Sequence, residues 1–326
     1  MAQMTYREAV RQALREELRH DEHVFLLGED IAEFGGSLKV TLGLLDEFGP
    51  KRIRNTPISE MALLGAAVGA AATGSRPIAE VMYSDFFGMA MDQVVNQAAK
   101  MRFMFGGKMS IPLTIRTTMG GRRSAAAHHS QCLEAWFMHI PGIKIALPAT
   151  AYDAKGLLKT AVRDPNTTII FENKMLYNVK GEVPEEEYFV PWGVANIVRT
   201  GSDVTVVALS DMVDYSIKAA DQAEKEGISV EIIDPRTLAP LDIDTIVNSV
   251  KKTGKLVVAH EANLTGGVGG EIAAQVAYCA FDYLQAPIER VAAKDSPIPF
   301  APILEKAILP DDMDVLNAIH RVMDYA

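Results

Sequence analysis

Residues 61–72 read MALLGAAVGAAA, twelve residues without a polar side chain. A helix of this composition has no polar face at a 3.6-residue period, so it is expected to be buried on all sides. Its start is marked in the preceding turn, Thr56-Pro57-Ile58-Ser59-Glu60. Pro57 fixes φ, and Ser59 can cap a helix that begins at about Glu60. The run stops at Gly74-Ser75-Arg76, short of the length needed to span a bilayer. A carboxylate, Glu60, therefore stands at the mouth of an apolar helix. Acids at helix starts commonly just complement the macrodipole. An ionised carboxylate in apolar surroundings is costly, however, and burial raises its proton affinity.

Around this helix the chain alternates short apolar runs with amphipathic stretches. Thr5-Tyr6-Arg7-Glu8 is a capping box, followed by Tyr6, Ala9, Val10, Ala13 and Leu14 at helical spacing. Strands are expected at 24–27, 52–54, 78–82, 111–116, 143–147 and 168–171, with helices at 87–103, 131–139 and 152–162. This pattern predicts a mostly parallel sheet covered on both faces, with ligands bound beyond the carboxyl ends of the strands. Glu60, Phe86 and His129 each follow an expected strand closely. Residues 177–198 are rich in Glu, Gly and Pro and read as a linker. A second alternation fills 199–326, so the expectation is two doubly wound α/β domains, 1–176 and 199–326. The run 266–270 (GGVGG) opens a helix after a strand, but it fails the dinucleotide fingerprint because the third glycine position is Ile272.

A formal net charge of -10 argues against nucleic acid as a partner. Two cysteines, Cys132 and Cys279, make no disulfide framework and suit a reducing cytoplasm. No signal peptide and no membrane span is read, and a cytoplasmic location is expected.

The blocks TPISE, the small-residue helix, 74–80 (GSRPIAE), Asp85-Phe86, 91–97 (MDQVVNQ) and His129-Ser130-Gln131 occur in one order. Together they resemble the β subunit of the thiamine-diphosphate-dependent 2-oxoacid dehydrogenases over essentially the whole chain. The blocks Asp85-Phe86, 100–108 (KMRFMFGGK), Arg116-Thr117-Thr118 and 181–185 (GEVPE) are most similar to the β subunit of acetoin dehydrogenase. The resemblance implies a transketolase-like pyrimidine-binding domain and a C-terminal assembly domain. It implies that Glu60 exchanges a proton with the cofactor's aminopyrimidine ring, that Ile58 and Phe86 line that ring, and that His129 is the active-site histidine near the substrate. For Phe86 taken alone, plain core packing is the simpler reading. Adjacent His128 and His129 tempt a metal reading, but they point in different directions and lack a third ligand at useful spacing. His128 stands where the family usually has another residue, and its role is open. Gly120-Gly121-Arg122-Arg123-Ser124 reads as a solvated, mobile loop.

The stretch 161–166 (AVRDPN) resembles the family's monovalent-cation loop. That implies potassium held by oxygens at Leu113, Ala161, Val162, Asp164 and Asn166, a hard donor set; Asp-Pro-Asn is also ordinary turn chemistry. Thiamine enzymes usually hold the diphosphate through magnesium and a Gly-Asp-Gly motif, which this sequence does not contain. The family arrangement then implies an α subunit that supplies the magnesium and the diphosphate half of the site, in an α2β2 heterotetramer. The implied function is cleavage of acetoin, release of acetaldehyde, and transfer of the acetyl group to the lipoyl arm of an E2 acyltransferase. The alternatives are the same chemistry on pyruvate or a branched-chain 2-oxoacid, and a non-catalytic assembly subunit. Retention of Glu60, Phe86 and His129 argues against the last of these.

Overall fold

Thr5 begins the first helix as the capping box requires: Glu8 N donates to Thr5 Oγ1 at 3.2 Å, and the Glu8 carboxylate accepts from Thr5 N at 2.8 Å. The computed structural model describes residues 1–325, which divide into two units, Met1–Met119 with Trp136–Trp192 and Gly120–Ala135 with Gly193–Ala326.

The first unit runs through β1 (Ala2–Thr5), α1 (Tyr6–His20), β2 (Val24–Gly28), α2 (Leu44–Phe48), β3 (Ile53–Asn55), α3 (Glu60–Ala72), β4 (Arg76–Val81), α4 (Met101–Met104), β5 (Thr114–Met119), α5 (Glu134–Met138), β6 (Lys144–Ala146), α6 (Ala151–Arg163), β7 (Thr168–Asn173) and β8 (Lys180–Val183). The first two residues of α5 count with the second unit. Within the first unit the sheet order is β6-β7-β5-β4-β2-β3, every pairing parallel. Tyr6, Val10 and Leu14 of α1 and Leu157 and Leu158 of α6 share a core with Leu26, Ile78 and Ile170 of the strands.

Three local expectations are corrected. α3 is not buried on all sides. Leu63, Leu64, Ala67, Val68 and Ala71 form its buried stripe, while Met61, Ala62, Ala66 and Gly69 are exposed. Alanine and glycine carry too little bulk to recruit a second layer from within one chain. The single helix expected over 87–103 is three pieces: a 3₁₀ turn at Ser84–Met89, a π-helix at Asp92–Ala98, and α4. In the π segment Ala99 N donates five residues back to Val94 O at 3.0 Å, and Asp92 Oδ1 accepts from Asn96 Nδ2 at 2.8 Å. The stretch read as a linker carries β8, which pairs antiparallel with β1, Ala2 opposite Val183. Beyond it Val190 is buried and Tyr188 stacks on Tyr152 at 4.5 Å. The polar residues that suggested a linker face outward.

The second unit contains β9 (Asn196–Arg199), β10 (Val204–Ala208), α7 (Met212–Lys225), β11 (Val230–Asp234), β12 (Thr237–Ala239), α8 (Ile243–Thr253), β13 (Leu256–Asn263), α9 (Val268–Ala280), β14 (Glu289–Ala293), α10 (Pro302–Ile308) and α11 (Asp312–Met323). Its sheet order is β14-β13-β10-β11-β9, parallel except for β9. The glycine run before α9 has a packing cause. A Cβ on Gly267 would lie 2.5 Å from His260 Cε1, and one on Gly269 would lie 2.8 Å from His260 Nε2. The glycines let the helix start rest directly on a buried imidazole, and that burial pushes His260 down to about 4.

At the centre of the first sheet Arg116 on β5 donates to Glu172 on β7 with Nε at 2.7 Å and Nη2 at 2.8 Å. Its Nη1 donates to Glu80 on β4 at 2.8 Å. Arg116 and Glu172 are almost wholly buried. Removing one member of such a set strands the others without counter-charge. Arg116→Met is expected to cost about 3–5 kcal/mol, measured by urea unfolding; a loss under about 1 kcal/mol would show the triad to be dispensable.

Candidate active site

The register of the sheet decides which loops meet. Gly28 at the end of β2 pairs with Asn55 at the end of β3 and with Glu80 near the end of β4. Glu29, the turn 56–60 and the segment 82–86 therefore leave the sheet at one level of its carboxyl edge. Ser59 is extended and caps α3, Ala62 N donating to its Oγ at 3.4 Å. This sets Glu60 in the first turn, half-buried, behind Ile58, which is 86% exposed. Phe86, in the 3₁₀ turn, is half-buried and meets Tyr83 edge-on at 5.5 Å. Its neighbour Phe87 is fully buried against Phe137 at 4.6 Å. The core-packing role belongs to Phe87, leaving Phe86 with the other three at the edge.

The sequence reading missed Glu29. It is 7% exposed, and its Oε1 has no hydrogen-bond partner among the described residues. Burial raises its carboxyl above the usual range and the charge of Glu60 adds to the rise, while the Ser59 amide opposes it. Glu29 is thus the more buried of two neighbouring carboxyls at this edge, Glu60 being only half-buried. The signal was present in Gly28-Glu29-Asp30 at the end of an apolar strand, but a single acid there reads as a turn residue.

His129 lies in Gly120–Ala135, the segment that counts with the second unit. It is half-buried and His128 is exposed; His129 N donates to Ala126 O at 3.4 Å. The segment is not the plain solvated loop expected. Arg122, Ser124 and Ala126 all have left-handed φ, at 64°, 52° and 62°. Each such non-glycine residue costs about 1–3 kcal/mol and persists only where its surroundings impose it. Arg123 remains exposed, whereas Arg122 is half-buried with its guanidinium 4.5 Å from the Tyr215 ring centre. Among the described residues no group of three or more His, Cys, Asp or Glu side chains is placed to hold a metal.

Leu113, Ala161, Val162, Asp164 and Asn166 gather at the opposite, amino-terminal edge of the first sheet, just before β5 and β7. Leu113 O accepts from Thr168 N at 2.9 Å, Ala161 O from Asp164 N at 3.1 Å, and Val162 O from Arg76 Nη1 at 3.0 Å. Asp164 is paired with Lys144 at 2.6 Å, and Asn166 Oδ1 accepts from Arg102 at 2.7 Å. Each oxygen keeps a second lone pair. Lys144 already neutralises the one carboxylate, so the donor set suits a monovalent rather than a divalent cation.

Sequence and structure comparisons bear on the fold and the family. Residues 2–180 match the transketolase pyrimidine-binding domain and residues 193–315 the transketolase C-terminal domain. The chain is 50% identical over 323 residues to the pyruvate dehydrogenase E1 component subunit beta of Rhizobium meliloti, covering 99% of this chain and 70% of that protein. It is 48% identical to the acetoin:2,6-dichlorophenolindophenol oxidoreductase subunit beta of Bacillus subtilis, covering 93% and 92%. A split-gene transketolase in an inactive beta4 tetramer shares the fold, with TM-score 0.82 at 24% identity and 99% of each chain covered. The fold is transketolase-like. The chain belongs to the family of E1 β subunits of the thiamine-diphosphate-dependent 2-oxoacid and acetoin dehydrogenases.

Glu134, at the start of α5, is 1% exposed, and burial pushes it up to about 7. A carboxyl raised on folding favours the folded state only while protonated. Relative to a neutral side chain it therefore destabilises progressively as pH rises from the unfolded value, near 4.5, to about 7. Glu134→Gln is expected to match wild type below pH 4.5 and to gain stability through that window. The gain should level off at roughly 3 kcal/mol above it, as read from thermal unfolding across pH; a pH-independent difference would contradict the assignment.

Proposed function

We propose that this chain is the β half of an E1 enzyme that cleaves acetoin and passes the acetyl group to the lipoyl arm of an E2 acyltransferase, acting only with an α subunit in an α2β2 assembly. The observation that carries the reading is the pair of carboxyls, Glu60 and Glu29, set in register at the carboxyl edge of the first sheet beside Ile58 and Phe86. The donor set fits thiamine diphosphate: an apolar contact (Ile58), an aromatic face (Phe86) and a protonatable carboxyl (Glu60) suit an aminopyrimidine ring. When bound, that cofactor would supply a carbon acid whose carbanion can attack a carbonyl.

In this reading Glu60 would be the group that hydrogen-bonds the aminopyrimidine ring and gives and takes its proton. Glu29 lines the same edge, its carboxyl raised by burial and by the charge of Glu60. Ile58 and Phe86 exclude water from the ring faces. His129 hydrogen-bonds the substrate. The magnesium and diphosphate contacts fall to the α subunit, in keeping with the missing Gly-Asp-Gly. Pyruvate is the second reading of the substrate, favoured by the Rhizobium relative as acetoin is by the Bacillus one. A side-by-side assay of acetoin, pyruvate and 2-oxoisovalerate with the reconstituted α partner decides between them.

Glu60→Gln keeps shape and hydrogen bonding but cannot exchange the proton. It is expected to assemble normally and bind cofactor while turnover falls on the order of a hundredfold or more. An unchanged rate in the assembled variant would overturn the role of Glu60.

We assign potassium to the oxygens of Leu113, Ala161, Val162, Asp164 and Asn166. Exchange of potassium for tetramethylammonium is expected to lower the melting temperature, and the drop should shrink in Asp164→Ala. Identical melting curves in the two salts would remove the ion from the scheme.

A further inference from the structure

The strained segment that carries His129 is gripped at three successive points by groups of the second unit. Gly121 N donates to Glu261 Oε1 at the end of β13. Arg122 Nε reaches Asp211 Oδ2, just before α7, at 3.4 Å, and Arg122 Nη2 donates to Pro310 O, which precedes α11. Ser124 N donates to Glu305 Oε2 on α10 at 3.1 Å. Glu261, Asp211 and Glu305 are all buried. Gly121 is also crowded: a Cβ there would lie 2.7 Å from Leu309 Cδ1 and 3.3 Å from Glu305 Oε1. The grips fall on or beside Arg122 and Ser124, two of the residues held at left-handed φ.

We propose that Glu261, Asp211 and Glu305 form an acidic clamp that imposes the backbone of residues 121–126 and thereby positions His129, with Glu261 and Glu305 acting as positioning residues through their bonds to backbone amides. The proposal rests on the role given above to His129. Buried acceptor oxygens matter here because an amide left without one in such surroundings carries its full desolvation cost. Three grips from three elements also over-determine a conformation that the isolated segment would not keep. The arrangement explains why a loop so rich in glycine and alanine is not simply solvated: its order is supplied by sequence-distant acids of the same unit.

The test uses the enzyme assembled with its α subunit. Glu305→Ala removes the acceptor for Ser124 N; Glu305→Gln keeps an acceptor oxygen in the same place. Gly121→Ala crowds the clamp from the other side and serves if Glu305→Ala fails to assemble. Hydrogen exchange at amides 122–130 is expected to rise about tenfold or more in Glu305→Ala and to stay near wild type in Glu305→Gln. kcat is expected to fall on the order of tenfold to a hundredfold in Glu305→Ala, the scale of a misplaced reacting group, and to recover in Glu305→Gln. In a His129→Ala background the same Glu305→Ala change should leave kcat where His129→Ala alone puts it. Unchanged exchange in Glu305→Ala overturns the clamp. Faster exchange with a kcat loss that adds in full to that of His129→Ala overturns positioning through His129. Faster exchange with a silent His129→Ala supports the clamp and instead overturns the role given to the histidine under the proposed function.

Discussion

The bidentate pair between Arg116 and Glu172, extended to Glu80, is the constraint on which the first unit turns. It crosses three adjacent strands, β4, β5 and β7: Glu80 lies directly opposite Arg116, and Glu172 lies two residues beyond Ile170, the partner of Arg116 on β7. A one-residue slip of β5 would send Arg116 to the other face of the sheet and leave two acids facing apolar side chains. The ion set therefore acts on register as much as on stability. Register is also what levels the ends of β2, β3 and β4, and so what brings Glu29, the turn 56–60 and Phe86 to one edge. The set reaches further. Tyr177 OH donates to Glu172, and Tyr177 meets Tyr6 of α1 edge-on at 5.6 Å. Gly36, at φ 76°, comes so close to Glu80 that a Cβ would lie 2.9 Å from its Oε1. Helix α1 and the long loop after β2 are thus tied to the same three charges.

The two edges of that sheet are chemically opposite. At the carboxyl edge two acids, Glu29 and Glu60, stand together, and among the described residues no basic side chain is bonded to them. At the amino edge Arg76, Arg102 and Lys144 donate to the oxygens of Val162, Asn166 and Asp164. A parallel sheet has no means of mixing these roles, because every strand presents the same end to the same edge. Under the proposed reading, proton chemistry falls where strand ends feed loops and helix starts, and the charge-neutralised oxygen set falls where strands begin.

Much of this was legible in the residues. The strand–helix alternation, the capping box at Thr5 and the cap at Ser59 all follow from local patterns, and the structure agrees with each. What was not legible depended on distant partners. Glu29 reads as a turn residue until the sheet places it beside Glu60. The stretch after Tyr177 reads as a linker because its buried residues, Val183 and Val190, are too few to show a period. The π segment at Asp92–Ala98 hides in a helical pattern because only its hydrogen-bond offset differs. The His129 segment looks mobile by composition, since the acids that hold it lie more than 80 residues away in sequence.

The exposed stripe of α3 bears on how the two carboxyls come to differ. Glu29 is buried by this chain alone, and its proton affinity is raised by that burial. Glu60 is only half-buried, with Ile58 and Met61 open beside it and Ala62, Ala66 and Gly69 presenting almost no side chain. Small residues let a second helix approach closely, since interaxial distance is set by the side chains at the contact. A partner laid on this stripe would cover Glu60, as this chain alone already covers Glu29. Under the proposed reading, the chain thus completes one of its two acids by itself and leaves the other to be completed by assembly. That arrangement ties proton chemistry at Glu60 to the presence of the subunit that holds the rest of the cofactor.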